Sequence, residues 1–145
     1  MKVYLDNCCF NRPFDDQTQL RIRLETEAKL KIQEEVRAGK LKLAWSYILD
    51  YENRKNPYEE RKLRIKGWEK YAETNVKENA EIIKHAHLLN QKGFGKLDSL
   101  HIACAIVSKS DYFLSTDDKI LNMSKILEEK IKVTDPIGFI KEVLS

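Results

Sequence analysis

The stretch Val3-Tyr4-Leu5-Asp6 decides how this chain folds: three apolar residues predict a short buried strand, and a carboxylate follows it directly. A similar stretch lies far along the chain, where Tyr112-Phe113-Leu114-Ser115-Thr116 precedes Asp117 and Asp118. In an open parallel sheet, ligands bind at the carboxyl ends of the strands, where these acids would meet. Carboxylates gathered at one edge repel one another unless a cation neutralises them. The pattern therefore predicts a divalent-metal site and metal-assisted hydrolysis.

The order of predicted elements is that of an α/β fold. Strands are predicted at about residues 2–6, 41–45, 112–116 and 131–134. Helices are predicted at 18–38, 47–54, from Pro57, at 79–91, 98–108 and 119–130, and from Pro136. In the first long helix, an apolar residue recurs every four positions and predicts one buried stripe, formed by Leu20, Leu24, Ala28, Ile32 and Val36. Because strands alternate with helices, we expect residues 1–145 to form one three-layer α/β/α domain around a short central parallel sheet.

Two further acids fall where such a fold would bring them to the same edge. Glu52 lies near the end of the short helix after the second strand, and Asp98 opens an apolar helix. Asp50 competes with Glu52, but residues two apart on a helix point about 200° away from each other, so one of the pair faces the site. Turn and helix-capping roles are the alternatives for Asp6 and Asp98.

Segments carrying these acids resemble, in order, the PIN-domain family of metal-dependent ribonucleases, which includes toxin ribonucleases of VapC type. The segments are Val3–Asn7, Trp45–Glu52, Lys96–Ala103 and Phe113–Asp118, and Val133-Thr134-Asp135-Pro136 with its final helix also fits. The resemblance implies a PIN-like fold, endonucleolytic hydrolysis of RNA and the catalytic acids Asp6, Glu52, Asp98 and Asp118. It also implies an antitoxin protein as partner and a homodimer. Residues 53–79 match least well, and no function is carried onto them.

The ligand chemistry favours a hard cation. Carboxylate oxygens select Mg²⁺ or Mn²⁺ over zinc or copper, and the candidate metal ligands are Asp6, Asp98, Asp117 and Asp118. The residues alone do not distinguish Asp117 from Asp118 as the metal ligand, whereas the Thr-x-Asp pattern of the family favours Asp118. Glu52 is expected to order the attacking water. Four polar side chains are expected to orient the ligands or to contact phosphate: Asn7, Asn11, Ser115 and Thr116. His101 is interpreted as a packed helix residue, because no second His or Cys pairs with it.

A basic stretch offers a surface for RNA. Residues 53–70 carry seven basic and three acidic side chains, a net charge of +4, although the whole chain is at only +3. Tyr58, Trp68 and Tyr71 are interleaved with them, and cations beside aromatic platforms suit single-stranded nucleic acid. The predicted RNA contacts are Arg61, Lys62 and Arg64, with Arg12 and Lys96 from outside the stretch. The competing interpretation is an ordinary solvated helix face.

Composition excludes several other classes. With 42% hydrophobic and 34% charged residues, the chain suits a globular domain. The apolar run Ile102–Val107 is too short to span a bilayer, and no signal-peptide core follows Met1, so we expect a cytoplasmic protein without membrane contact. Cys8, Cys9 and Cys104 lack zinc-ligand spacing.

Three other classes of protein are alternatives to a metal-dependent ribonuclease. A haloacid-dehalogenase-like phosphatase needs a second aspartate where Cys8 stands, and a receiver domain needs an acidic pair near the first strand. Neither pattern is present. A PIN-like module that binds RNA or protein without cutting stays open, although four unneutralised carboxylates would burden a scaffold.

Overall fold

A five-stranded parallel sheet forms the centre of the structure, a computed structural model that describes residues 1–144. The strands lie in the order β3-β2-β1-β4-β5, with every neighbouring pair parallel. Their bounds are β1 Lys2–Leu5, β2 Lys42–Ser46, β3 Ala72–Val76, β4 Tyr112–Leu114 and β5 Lys132–Thr134. The strands of the centre are buried, as expected for a sheet covered on both faces.

Helices flank the sheet and confirm the predicted three-layer α/β/α fold, with α5 packed on α6 and α2 on α8. They are α1 Asn7–Asn11, α2 Leu20–Arg37, α3 Tyr47–Arg54, α4 Glu59–Lys66, α5 Ala80–Gln91, α6 Lys96–Val107, α7 Asp118–Asn122 and α8 Pro136–Phe139. Short 3₁₀ turns span Arg12–Phe14, Gly67–Tyr71 and Ser124–Leu127, and a π-helical turn spans Ile140–Leu144. Among the residues described, no helix is both long and apolar enough to cross a lipid bilayer.

The pairing register of β1 determines which residues lie together at the carboxyl edge of the sheet. Leu5 pairs with Leu114 of β4 on one side, and Tyr4 pairs with Ala44 of β2 on the other. Tyr4 also stacks on Phe113, with ring centroids 5.6 Å apart, so the middle of the sheet is held by aromatic packing. The residues that follow these three strands therefore emerge side by side at the carboxyl edge.

The strand β3 was not predicted, because its sequence carries a weak strand signal. Ala-Glu-Thr-Asn-Val alternates half-buried and exposed positions before ending at buried Val76. It forms the edge of the sheet beside β2, where polar residues on the outward face are tolerated, and its register shifts by a bulge between Leu43 and Ala44. Tertiary pairing with β2 overrides the local preference here.

The predicted apolar stripe of α2 is wrong in its first half. Leu20 and Leu24 are 60% and 45% exposed, whereas Ile32 and Val36 are buried as predicted. The face turned inward in the first half instead carries polar residues, Glu25 and Lys29 among them. Ion pairs with Arg12 and Arg21 accompany the burial of Glu25, whereas Lys29 is buried without an ion pair among residues 1–144.

Helix ends follow local signals where those signals exist. Gly39, with φ of 78°, follows the end of α2, and the amide of Lys40 donates to the carbonyl of Glu35. The helix predicted at 119–130 breaks after Asn122 into the 3₁₀ turn Ser124–Leu127. Since Glu128 and its two successors are exposed, continuing the helix would bury no further apolar surface.

Candidate metal centre

Asp6 is held in one orientation at the carboxyl edge of the sheet. Asp6 directly follows β1, and its backbone amide donates to the carbonyl of Leu114 at 2.9 Å. The residue is only 6% exposed. Ser115, the next residue after β4, donates its hydroxyl to Asp6 Oδ2 at 2.9 Å, while the Asn7 amide donates to Oδ1 at 2.8 Å. The predicted orienting role of Ser115 thus has a direct contact behind it, and a carboxylate fixed in this way is ready to hold a cation.

Glu52 reaches the same place from α3. Ser46, at the end of β2, caps this helix by accepting from the Leu49 amide at 3.2 Å, which starts α3 at the carboxyl edge of the sheet. The Glu52 carboxylate accepts from the Asn7 side-chain amide at 3.2 Å and contacts the His101 ring nitrogen Nε2. Burial opposes its ionisation, but the hydrogen bonds from His101 and Asn7 outweigh that effect and lower the pKa of Glu52. Glu52 is therefore ionised at neutral pH.

Asp50, the competitor of Glu52, faces elsewhere. Its carboxylate accepts from the Trp45 indole at 3.1 Å and pairs with Lys66 at 2.6 Å. Asp50 and Glu52 therefore contact different parts of the structure, as expected for side chains that point away from each other on a helix.

His101 joins Asp6 and Glu52 in a cluster that the sequence interpretation did not include. One donor atom from each of the three lies within 4.8 Å of the others, a spacing able to surround one metal ion. The ring is fully buried, as expected for a packed helix residue, but its other nitrogen, Nδ1, lies 2.6 Å from the Tyr4 hydroxyl. Tyr4 in turn lies 2.6 Å from the Ser46 hydroxyl. One feature of the sequence could have indicated a role for His101 in the site: it lies three residues after Asp98, on the same helix face.

The Asp98 carboxylate lies near Asp6, Glu52, Asp117 and His101, and its side chain makes no hydrogen bond with the rest of the described chain. It lies half-buried in the first turn of α6, whose cap is Gly95 rather than Asp98 itself. Burial raises the pKa of Asp98, and the negative charges of Asp6 and Asp117 raise it further. A carboxylate in such company is stabilised by a bound cation, which supplies the charge that the protein withholds.

Asp117 and Asp118 point to different partners. Asp117 caps α7 by accepting from the Lys119 amide at 2.8 Å, and its charge still reaches Asp98. Asp118 forms a two-pronged ion pair with Arg21, at 2.8 and 3.1 Å, which lowers the pKa of its carboxyl. The geometry favours Asp117 as the acid that faces the site, although the family pattern favours Asp118.

The remaining predicted supporting residues divide. Asn7 contacts Glu52, and its own side-chain oxygen is buried without a hydrogen-bond partner. Asn11 instead joins the Asn7 carbonyl to Asn56, at 3.0 and 3.3 Å. Thr116 takes part through its backbone, with its amide 3.4 Å from the Cys8 sulfur and its carbonyl accepting from Arg21. Only Asn7 and Ser115 therefore touch the acidic cluster through their side chains.

The predicted RNA contacts differ in their freedom to bind phosphate. Arg12 is already paired with Glu25, at 2.9 Å, and with Asp15, at 3.1 Å. Arg61 stacks over the Tyr58 ring at 4.0 Å, whereas Lys62 and Arg64 pair with Glu59 and Glu60 of the same helix. Lys96 is exposed at the start of α6, two residues before Asp98. Arg12 is thus the least available of the set for phosphate.

The donor set fits a hard divalent cation. Its members are the carboxylates of Asp6 and Glu52, which form the cluster with His101, and those of Asp98 and Asp117, which interact electrostatically beside it. The Asn7 side chain contacts Glu52 and has a buried oxygen without a hydrogen-bond partner among residues 1–144. Mg²⁺ and Mn²⁺ prefer such oxygens. His101 is the one nitrogen donor, and its Nε2 is already shared with Glu52.

Comparisons with known proteins show a likeness in fold to solved structures. A scan of family models and a search of curated proteins found no match. Among solved structures, a chain in the crystal structure of VapBC2 from Rickettsia felis bound to a DNA fragment from their promoter superposes with a TM-score of 0.58. The match covers 93% of this chain and 98% of that one at 15% identity. At this identity the likeness shows the fold alone: this chain shares its architecture, over nearly its whole length, with a chain of that VapBC2 structure.

Proposed function

We propose that this protein is a PIN-type ribonuclease that hydrolyses phosphodiester bonds of RNA with Mg²⁺ or Mn²⁺. The observation that carries the proposal is the cluster of Asp6, Glu52 and His101 at the carboxyl edge of the sheet. The cluster lies near enough to Asp98 for the charges of Asp6 and Glu52, together with the charge of Asp117, to add to burial in raising the pKa of Asp98. The shared fold with a VapBC2 component supports the same class of activity.

Each residue has a distinct task in this proposal. Asp6, Asp98 and Asp117 would hold the cation, with Asn7 contributing a neutral oxygen. When bound, the cation supplies Lewis acidity toward a phosphoryl oxygen and neutralises charge that develops in the transition state. Glu52, ionised and oriented by His101, accepts a proton from the attacking water. Ser115 keeps Asp6 in place throughout.

The RNA strand is proposed to approach along the basic stretch and past Lys96, next to Asp98. Arg61 offers a cation already stacked on an aromatic ring, which suits an unpaired base or a phosphate beside it. Lys62 and Arg64 would exchange their exposed partners, Glu59 and Glu60, for phosphates, at small cost because exposed ion pairs are weak.

An antitoxin protein is proposed as the partner that controls this activity, because the similar chain comes from a toxin–antitoxin complex. Coexpression with the product of an adjacent gene, followed by copurification, tests this point. A homodimer remains an expectation of the sequence resemblance, and a cytoplasmic location remains an expectation drawn from the composition of the chain.

Cleavage of single-stranded and structured RNA, with Mn²⁺ or with EDTA, tests the activity. Asp6→Asn and Asp98→Asn should each lower the rate by about a thousandfold, because losing a ligand costs several kcal/mol of transition-state stabilisation. Asp111→Asn is the matched control, since Asp111 lies before β4, at the opposite end of that strand from Ser115. Cleavage that survives EDTA, or equal rates in all variants, would contradict the proposal and leave a non-catalytic RNA- or protein-binding module.

A further inference from the structure

A second concave site lies beside α2, and none of its lining residues belongs to the acidic cluster. It is a cleft of ≈ 420 Å³ between α2, the segment that follows α1, and the end of α4. The residues that matter for its chemistry are Phe10, Phe14, Lys29, Gln33, Arg64 and Trp68. A volume of this order is that of a small-molecule site, about 300–1,000 Å³.

Lys29 turns a positive charge into this cleft without any counter-charge. It is 4% exposed, and its Nζ makes no hydrogen bond or ion pair with any residue from 1 to 144; its contact is the Phe10 ring, 5.5 Å from the centroid. Glu25, one turn earlier on the same face, is fully engaged by Arg12 and Arg21. Burial lowers the pKa of Lys29 to about 8. A buried ammonium of this kind is costly unless an anion meets it.

Gln33 places a second unsatisfied donor on the same helix face. It is also 4% exposed, and its side-chain nitrogen is buried without a hydrogen-bond partner among the residues described. Residues four apart on a helix are neighbours on its surface, and both Lys29 and Gln33 line the cleft. Two convergent donors can hold the two oxygens of one acid group.

Aromatic side chains form the other walls. Phe10 is fully buried, while Phe14 and Trp68 pack half-buried against the core. Arg64 stands at the rim, exposed and paired with Glu60. Apolar walls with a few placed polar groups are the usual composition of sites for small organic molecules.

We propose that this cleft binds a small organic anion, with its acid group on Lys29 Nζ and Gln33 Nε2 and its flat apolar body against Phe10, Phe14 and Trp68. A carboxylate and a phosphate share the required chemistry. The proposal is independent of the ribonuclease activity, because it uses none of the metal-binding residues.

Calorimetry and amide NMR on the full chain in EDTA test it, with phenyl phosphate and benzoate as probes. We expect saturable binding by at least one probe with a dissociation constant of about 1 mM or lower, as befits ligands of this size. The preferred probe distinguishes a phosphate from a carboxylate site. Inorganic phosphate and benzyl alcohol, which carry one half of the chemistry each, should bind at least ~10-fold more weakly.

Substitutions locate the binding. Lys29→Met should weaken the preferred probe by about 10- to 100-fold, the loss expected for one charge-assisted hydrogen bond. Lys84→Met, an equal charge change on exposed α5, should leave it unchanged, and Gln33→Leu gives a second reading that keeps the lysine. Absence of saturation by both probes up to about 10 mM, or affinity unaffected by Lys29→Met and Gln33→Leu, would overturn the proposal. Equal affinity for inorganic phosphate would overturn the role of the aromatic walls.

Discussion

Adjacent aspartates acquire different chemistry from the partners they meet. Asp118 is neutralised by the Arg21 guanidinium, which reaches it from α2, while Asp117 caps α7 and keeps a charge that Asp98 feels. The local sequence treats the two as equivalent carboxylates after one strand. The difference comes from Arg21, a residue 97 positions away from Asp118.

We therefore expect Asp117→Asn and Asp118→Asn to behave differently. Asp117→Asn should slow Mn²⁺-dependent RNA cleavage by about 100-fold or more, which is roughly 3 kcal/mol, and asparagine keeps the helix cap. Asp118→Asn should change the rate by less than about threefold, because an exposed ion pair contributes little. Single-turnover cleavage of one RNA measures both. A large loss in Asp118→Asn alone would show that Arg21 releases Asp118 to the metal.

His101 gives the second prediction at this scale. It holds Glu52 and lowers the pKa of that carboxyl, so His101→Asn should reduce kcat by about 10- to 100-fold with little change in KM. Without the imidazole hydrogen bond the pKa of Glu52 rises, so the acid limb of the rate profile should move to higher pH. His87→Asn, on exposed α5, is the control. A merely structural role would lower the melting temperature and leave the acid limb in place.

Among the helices, α4 has a charge pattern that favours its own formation. Glu59 and Glu60 lie in its first turn and Arg64 and Lys66 in its last, as the helix dipole favours. Lys62 and Arg64 form ion pairs with Glu59 and Glu60 within the helix, whereas Lys66 pairs with Asp50 and Glu69 outside it. The basic stretch is therefore both a solvated face and a surface from which phosphate can displace weak partners.

Replacing Arg61, Lys62 and Arg64 together with Gln should weaken RNA binding and flatten its salt dependence. We expect the slope of log affinity against log salt to fall by about 1–2, since the three side chains cannot all face one strand. Binding is measured in an Asp6→Asn background across a salt series. The control replaces Lys77, Lys84 and Lys92 of the α5 region, an equal charge change. The same slope in both triple variants would assign α4 to an ordinary solvated face.

For the whole molecule, the acidic cluster sets a tension between stability and metal binding. The pKa of Asp98 is raised in the folded state, so the native protein holds its proton more tightly than the unfolded chain. Stability is therefore lost as pH rises from the unfolded pKa of Asp98 through its folded value. Above that window the repulsion is fully present unless a cation offsets it.

Thermal melts at neutral pH test this tension. In EDTA, Asp98→Asn should melt a few degrees higher than wild type, an effect limited because the half-exposed carboxylate is screened by water. The difference should vanish at low pH, where Asp98 is protonated. Mn²⁺ at about 100 times its dissociation constant should stabilise wild type by about 2.7 kcal/mol, or roughly 5–10 °C, and the variant less. A lower midpoint for the variant, with no response to metal in either protein, would contradict a metal site.

The fold class and most of the elements could be predicted from local features of the sequence. The apolar triplets of β1 and β4, the Ser46 and Asn79 caps and Gly39 are local signals, and the structure places α3, α5 and α6 within about two residues of their predicted bounds. It also brought Asp6, Glu52 and Asp98 to the same edge, because parallel strand ends meet there in any such sheet. One domain over residues 1–145 stays a prediction of this pattern.

The contacts between distant residues could not be predicted from the sequence and are seen only in the folded structure. It made an edge strand of β3, turned Glu25 and Lys29 inward, tied Asp118 to Arg21 and joined His101 to Glu52 across 49 positions. Local propensity and periodicity depend on residues that are close along the chain, whereas burial and charge pairing depend on which surfaces meet after folding. A side chain's pKa, its partner and its access to a ligand are set by those meetings, so the residue types of the site can be predicted while their roles follow from three-dimensional proximity.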